Sequence, residues 1–300
     1  MLEIIKKISI IKVALLSIAT FIIFFFLLQN IKEKINIETI LAAINIKYFL
    51  LAIIISFISF PLGASRWFFL LKMTGYKIKF QQTLSLVLAS SAISIIPGRL
   101  GDFAKIYPIR QQIPMQTSTH TIILEKIIDI FSLLTFSLFG FILVKKYFLS
   151  LTILILILII ILAIWIVYKK TNKSFKVFDN FWQIIKNIKE NKIDFFYSVL
   201  SSFVNWLVSM SILFILFIAF DQYINFGIIM SYLPLAIFLG LLPISLAGIG
   251  TREAALIFFL STYNIPANII LLAGLSYSLI AYVIFSLVGL PFFIKTFGKN

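Results

Sequence analysis

Seven charged side chains stand in otherwise apolar surroundings: Arg99, Asp102 and Lys105, then Glu125 and Asp129, then Arg252 and Glu253. An arginine can grip a phosphate through two parallel hydrogen bonds, so Arg99 and Arg252 are candidates for an anionic group. Glu125 and Asp129 are four positions apart, which puts both carboxylates on one helix face. They could recognise a cation, carry a proton or, with Asp102 and Glu253, hold the arginines apart. Helix breakers accompany these charges. Pro97, Gly98 and Gly101 surround the first group, and Pro243, Gly248 and Gly250 precede the last. Proline removes a backbone donor and clashes with the preceding turn, and glycine frees the chain. Helices starting just after Gly101 and Gly250 would aim N–H donors and positive dipole ends at an anion such as phosphate. The same charges could instead be internal ion pairs that pin the breaks without any ligand. Arg66, nearer a helix end, is expected to snorkel to the interface, and His120 to be structural.

Other chemistries are poorly served. The chain has no Cys and one His, so thiol nucleophiles, iron–sulfur clusters and His-rich metal sites are excluded. No phosphate-binding GxxxxGK[ST] loop or HExxH motif occurs, and Glu253 stands where a dinucleotide fingerprint would place its third glycine. No cofactor and no catalytic residue set is expected.

The elements that must position these charges follow from composition. Hydrophobic residues are 61% of 300 and charged residues 12%, against about 45–50% and 25% in soluble proteins. Lipid is therefore the solvent for most side chains. A bilayer core needs roughly 20 apolar residues per helix, and such runs lie at about 8–28, 48–71, 117–144, 148–168, 195–219 and 267–294. Two further runs, about 80–115 and 227–263, are interrupted at the breaks. Backbone freed inside a bilayer must be buried in protein or line a wet cavity, so each interrupted run is expected to be a re-entrant hairpin.

Loop charge agrees. Segment 169–194 carries seven Lys and 72–79 three, whereas 220–226 has no Lys or Arg. With two hairpins, the amino terminus, 72–79, 169–194 and the carboxyl terminus all fall on the cytoplasmic side, as the positive-inside bias requires. The formal charge of +15 thereby becomes a topology signal, and nucleic acid drops out as a partner. Segments of about 48–144 and 195–294 each read as helix, hairpin, helix in opposite orientations, with Pro97 and Pro243 about half the chain apart. That is the pattern of an inverted repeat with a site where broken helices meet. Residues 1–300 form one domain on this reading. Within about 173–193, Phe178, Phe181, Trp182, Ile185 and Ile188 recur at helical spacing, an amphipathic helix suited to the cytoplasmic interface.

The motifs Ile96-Pro97-Gly98-Arg99-Leu100-Gly101-Asp102, Glu125-Lys126 with Asp129, and Leu242-Pro243-Ile244-Ser245 running to Gly248-Ile249-Gly250-Thr251-Arg252-Glu253 resemble the lysylphosphatidylglycerol synthase transmembrane-region family, also called the flippase-like domain family. The resemblance covers nearly the whole chain. It departs where the family commonly has Glu for Asp102, Arg for Lys105, and Asn just before the first Pro-Gly, where Ser91 and Ser94 stand here. The resemblance implies a stand-alone all-α, polytopic membrane protein that moves lipids between leaflets, without lysyl transfer. The expectation is thus about six transmembrane helices plus two re-entrant hairpins in the cell membrane. Its partners would be anionic or aminoacylated phospholipid, or polyprenyl-phosphate lipid, with an envelope biosynthesis enzyme as a further candidate. Alternatives are a proton-coupled transporter of a small solute, with Glu125 and Asp129 as carriers, and a non-transporting assembly partner.

Overall fold

The computed structural model describes residues 44–94, 97–171, 187–188, 190–241, 245 and 248–298, with backbone alone at 97–100, 164–165 and 167–171. The expected span at 8–28, most of the amphipathic segment at 173–193 and Pro243 lie outside the described residues. The Arg99 side chain does too.

Where lipid supplies no hydrogen bonds, an apolar run satisfies its backbone by becoming helix, and the regular structure among the described residues is helical throughout. Helices α1 (Ile46–Ser56) and α2 (Ser59–Lys72) form one 27-residue stretch. Their joint at Phe57–Ile58 lies just before Pro61, whose ring removes a backbone donor. Helix α3 (Phe80–Ser91) precedes a 3-10 helix, Pro97–Ile109. Helices α4 (Met115–Leu143), α5 (Tyr147–Thr171), α6 (Lys192–Ala219), α7 (Phe226–Gly240) and α8 (Thr251–Leu260) follow. A last 31-residue stretch is α9 (Ala267–Ser278), a π-helical turn at Leu279–Ile284, and α10 (Phe285–Phe297).

Four of these stretches are long and apolar enough to cross a bilayer: 46–72, 115–143, 192–219 and 267–297. Helix α5 turns Leu151, Leu154, Ile155, Leu158, Ile159 and Leu162 outward, an apolar surface that water would not tolerate and lipid does. At about 1.5 Å per residue, the shorter arms α3, α7 and α8 cannot span a core of about 30 Å.

Contacts between loops order the two ends of the bundle. Lys72 Nζ pairs with Asp194 at 2.8 Å, and Asn187 Nδ2 donates to the Met73 carbonyl at 3.3 Å, so 72–79 and 187–194 share one end. Gln82, at the start of α3, bonds Gln112, beyond the 3-10 helix, at 3.1 Å; this pair of arms returns to the end it left. At the opposite end, Asn45 N donates to Ala219 O at 2.8 Å. Lys146 Nζ lies 5.7 Å from the Tyr263 ring centroid. Tyr232, early in α7, meets Tyr263, after α8, at 3.3 Å, so the second pair of arms also returns.

The arms pack crosswise: α3 lies on α10, and α7 lies on α4. Both closing helices present a glycine there. A Cβ at Gly140 would sit 2.4 Å from Ser231 N, and one at Gly289 would sit 2.4 Å from Leu88 O. Three residues earlier, Ser137 Oγ donates to Ser231 O at 2.8 Å and Ser286 Oγ to Ser91 O at 3.1 Å. The sequence carries this match as Ser137-Leu138-Phe139-Gly140 and Ser286-Leu287-Val288-Gly289.

Candidate functional site

Helical periodicity places Glu125 and Asp129 on the face of α4 that meets α2 and α6. Arg66, from α2, bridges them: Nη2 reaches Glu125 Oε1 at 2.5 Å and Nη1 pairs with Asp129 Oδ1. Lys105 Nζ, from the 3-10 helix, reaches Glu125 Oε2 at 2.7 Å and lies 4.6 Å from the Trp67 ring centroid. Asp129 Oδ1 also accepts from Ser202 Oγ at 2.8 Å and Trp206 Nε1 at 2.9 Å, both on α6. Arg66 therefore does not snorkel. Its carboxylate partners sit deep in the bundle, and a buried charge is retained only when paired and hydrogen-bonded.

From Pro97 to Ile109 the first break is a 3-10 helix, so no new helix begins after Gly101. With three residues per turn, positions i and i+3 eclipse. Positions 99, 102 and 105 therefore fall in one row, where an α-helix would splay them. Along that row Asp102 pairs with Lys126 and Lys105 with Glu125. The Asp102–Lys126 pair is the more exposed one, its side chains 25% and 26% exposed against 3–8% for Arg66, Lys105, Glu125 and Asp129.

The second break does start a helix. Gly250, at φ 91°, caps α8, and Gly248 has φ 75°, backbone that side chains with a Cβ rarely adopt. The anion at this helix start is the chain's own: Glu253 Oε2 accepts from Gly250 N at 2.6 Å. Arg252 Nε and Nη2 approach Glu253 Oε1 at 3.4 and 3.3 Å, and Ser278 Oγ bridges the pair, donating to Glu253 Oε1 at 2.5 Å. Arg252 Nη1 takes no part in these bonds. The guanidinium lies 4.9 and 5.5 Å from the ring centroids of Tyr277 and Tyr282, the latter carried by the π-helical turn. Such a turn widens the helix locally and is frequent at functional sites.

Between the breaks lies a cavity of about 180 Å³, room for several water molecules. Asp102 comes to it from the first break and Arg252 from the second. Ser56, Ser59, Ser90, Ser91, Ser94, Asn205 and Ser209 supply hydroxyl and amide groups, and Trp206, Tyr277 and Tyr282 supply aromatic walls. A second cavity of about 200 Å³ is lined by Lys126, Asp129 and Trp206 with apolar Phe103, Ile130, Leu133, Ile237, Phe238 and Leu241. Glu125, Lys105, Glu253 and His120 are buried and line neither cavity.

Of the seven charges picked out in sequence, the structure thus brings Lys105, Glu125 and Asp129 into one network and Asp102 and Arg252 to one cavity. Glu253 is paired beside Arg252, and the Arg99 side chain is outside the described residues. Sequence reasoning missed Arg66 as the hub, Lys126 as the partner of Asp102, and the polar wall of α6. That wall had a signal: Ser198, Ser202, Asn205 and Ser209 recur at spacings of four, three and four in an apolar helix, the period of one helix face.

These features define a polytopic helical membrane protein with ion-paired charges in its interior. The model of the lysylphosphatidylglycerol synthase TM region family matches residues 9–289, and the chain belongs to that family. It is similar to the UPF0104 membrane protein MJ1595 of Methanocaldococcus jannaschii, 25% identical over 319 residues, a match covering 94% of each chain.

Proposed function

We propose that this protein is a lipid flippase or scramblase of the cell membrane: it gives a charged headgroup a polar path between leaflets while the acyl chains stay in the bilayer. The observation that carries this reading is the cavity bounded by Asp102 and Arg252, one from each break, and walled by hydroxyl groups in a chain that is otherwise apolar. Moving a polar headgroup through hydrocarbon without partners costs several kcal/mol, far more if it is charged, and such a cavity offers substitutes for water. On this reading α3 with the 3-10 helix, and α7 with α8, are re-entrant hairpins of an inverted repeat, each supported by returning to the end it left. Six helices cross fully, counting 8–28 and α5. The Lys-rich end with 72–79 and 187–194 faces the cytoplasm, as the positive-inside bias requires, and both termini lie there. The substrate is an anionic or aminoacylated phospholipid, or a polyprenyl-phosphate lipid, and no bond is made or broken.

The proton-carrier alternative is less well supported, because Glu125 and Asp129 are both held by Arg66. Reconstitution into liposomes tests the proposal. Labelled lipids should equilibrate between leaflets faster than in empty liposomes, and Arg252→Ala should abolish the excess rate in protein that remains folded. Absence of exchange for every phospholipid and polyprenyl-phosphate tracer removes the proposal.

A further inference from the structure

Helix α4 carries α5 on one side and α7 on the other, and α5 and α7 hardly touch. Gly140 lets α7 approach α4 closely, so an open trough is left along α5, with α4 as its floor and α7 and α8 as its far wall. Two hollows of about 560 and 510 Å³ make up this trough, and Leu235 and Phe259 line both. One end holds Lys146, Thr152, Ser261 and Thr262. The rest is hydrocarbon alone, Leu134, Leu156 and Ile160 among it. At the foot, Ile130 and Phe238 also line the cavity that holds Lys126 and Asp129. Leu149, at the Lys146 end, and Ile160, at the foot, are about 16 Å apart along α5 at about 1.5 Å per residue. One leaflet of hydrocarbon, half of a core of about 30 Å, has that depth. Lys146 thus stands at headgroup level, at the end of the bundle where Tyr147 and Tyr223 are exposed, as interfacial tyrosines are.

We infer that the trough binds one phospholipid of the leaflet at that end, an acyl chain laid along α4 and the phosphate on the Lys146 ammonium. The inference goes beyond the lipid-moving reading and does not need it, since the site holds its lipid whether or not that lipid crosses. The hydroxyls of Thr152, Ser261 and Thr262 donate to the carbonyls of Phe148, Phe258 and Phe259. The side-chain donors left for a phosphate are those of Lys146, which makes no ion pair among the described residues. A basic group between transmembrane helices suits a lipid headgroup. A chain in the trough meets a floor and two walls, where a flat flank offers one surface, and many small dispersion contacts add up. Diacylglycerol fits the trough and brings nothing to Lys146. Inorganic phosphate meets Lys146 and leaves the trough unfilled. A phosphate-headed lipid does both.

The test uses the full-length protein in phosphatidylcholine vesicles with two tracers, phosphatidylglycerol and diacylglycerol, each carrying a photoreactive diazirine on one acyl chain. Labelling of Leu156 and Leu235 is mapped by mass spectrometry and divided by labelling of Leu279 and Val283, a second flank near mid-membrane. Leu156 is 42% exposed and the two reference residues 45% and 46%, so boundary lipid alone labels both flanks alike. The phosphatidylglycerol ratio should be about ten times the diacylglycerol ratio, the fold-change of one hydrogen bond between charged groups. Lys146→Gln, an exposed change that should not alter melting, should bring the two ratios together. Leu156→Trp fills the trough and should remove the excess at Leu235. Equal labelling of both flanks in the parent, or a phosphatidylglycerol excess that survives Lys146→Gln, overturns the inference. So does ready disulfide-linked dimerisation of Leu156→Cys, the single thiol of a chain that has no other, because a second copy then covers the trough. Each of these results leaves the lipid-moving reading as it stands, and absence of leaflet exchange with the labelling pattern intact removes that reading and keeps the site.

Discussion

The charge clusters at the two breaks are built differently. Around the first, Arg66, Lys105, Glu125 and Asp129 come from α2, the 3-10 helix and α4, and α6 adds Ser202 and Trp206. Around the second, Arg252, Glu253 and Gly250 lie within four residues, and among the described residues the distant partners, Ser278, Tyr277 and Tyr282, all come from one stretch of six positions. The first cluster ties the bundle together and leaves little over. The second satisfies Glu253 locally through the helix start and leaves one side of Arg252 toward a cavity. Similar residue types thus do opposite jobs, because one set of partners is remote in sequence and the other adjacent.

Removing the hub tests this contrast most severely. Arg66→Ala leaves Glu125 with Lys105 and takes from buried Asp129 the cation that pairs with it, and should cost about 3–5 kcal/mol, lowering the detergent melting temperature by roughly 10 °C. Arg252→Ala should melt within a few degrees of the parent, since Glu253 keeps Gly250 N and Ser278. Equal melting losses in the two variants would break the comparison. Trp206→Phe keeps a ring between the two cavities and deletes the N–H held by Asp129, so a loss of about 1.5–3 kcal/mol is expected, read from chemical unfolding.

The crosswise packing of the arms supplies a symmetric check. Gly140→Ala and Gly289→Ala each force a methyl against backbone and should cost about 1–3 kcal/mol each; a cost at one position alone would show that the two contacts are not equivalent. The smallest effect belongs to Lys72→Ala. Its pair with Asp194 is half exposed on the Lys side, and such pairs contribute about 0–1 kcal/mol, so melting should hardly move.

Much of this organisation was legible. The long apolar runs at 48–71, 117–144, 195–219 and 267–294 coincide with the four stretches able to cross, because lipid length and backbone satisfaction leave few alternatives to helix. The sequence predicts a helix start at Gly250, and Gly250 caps α8. The same signal predicts a start at Gly101, which instead lies inside a 3-10 helix, since three-residue spacing of charges and an α-helical continuation look alike until Lys126 and Glu125 select the row. Local sequence predicts that Arg66 snorkels, because one basic residue near a helix end does so when nothing opposes it, and the carboxylates that oppose it are some sixty positions away.

By itself, the sequence determined the solvent, the helical class, the two breaks and the family, since each rests on composition or on neighbours in the chain. Only the tertiary structure decided which charges hold and which are offered. A buried charge takes its role from its partners, and those partners lie on other helices.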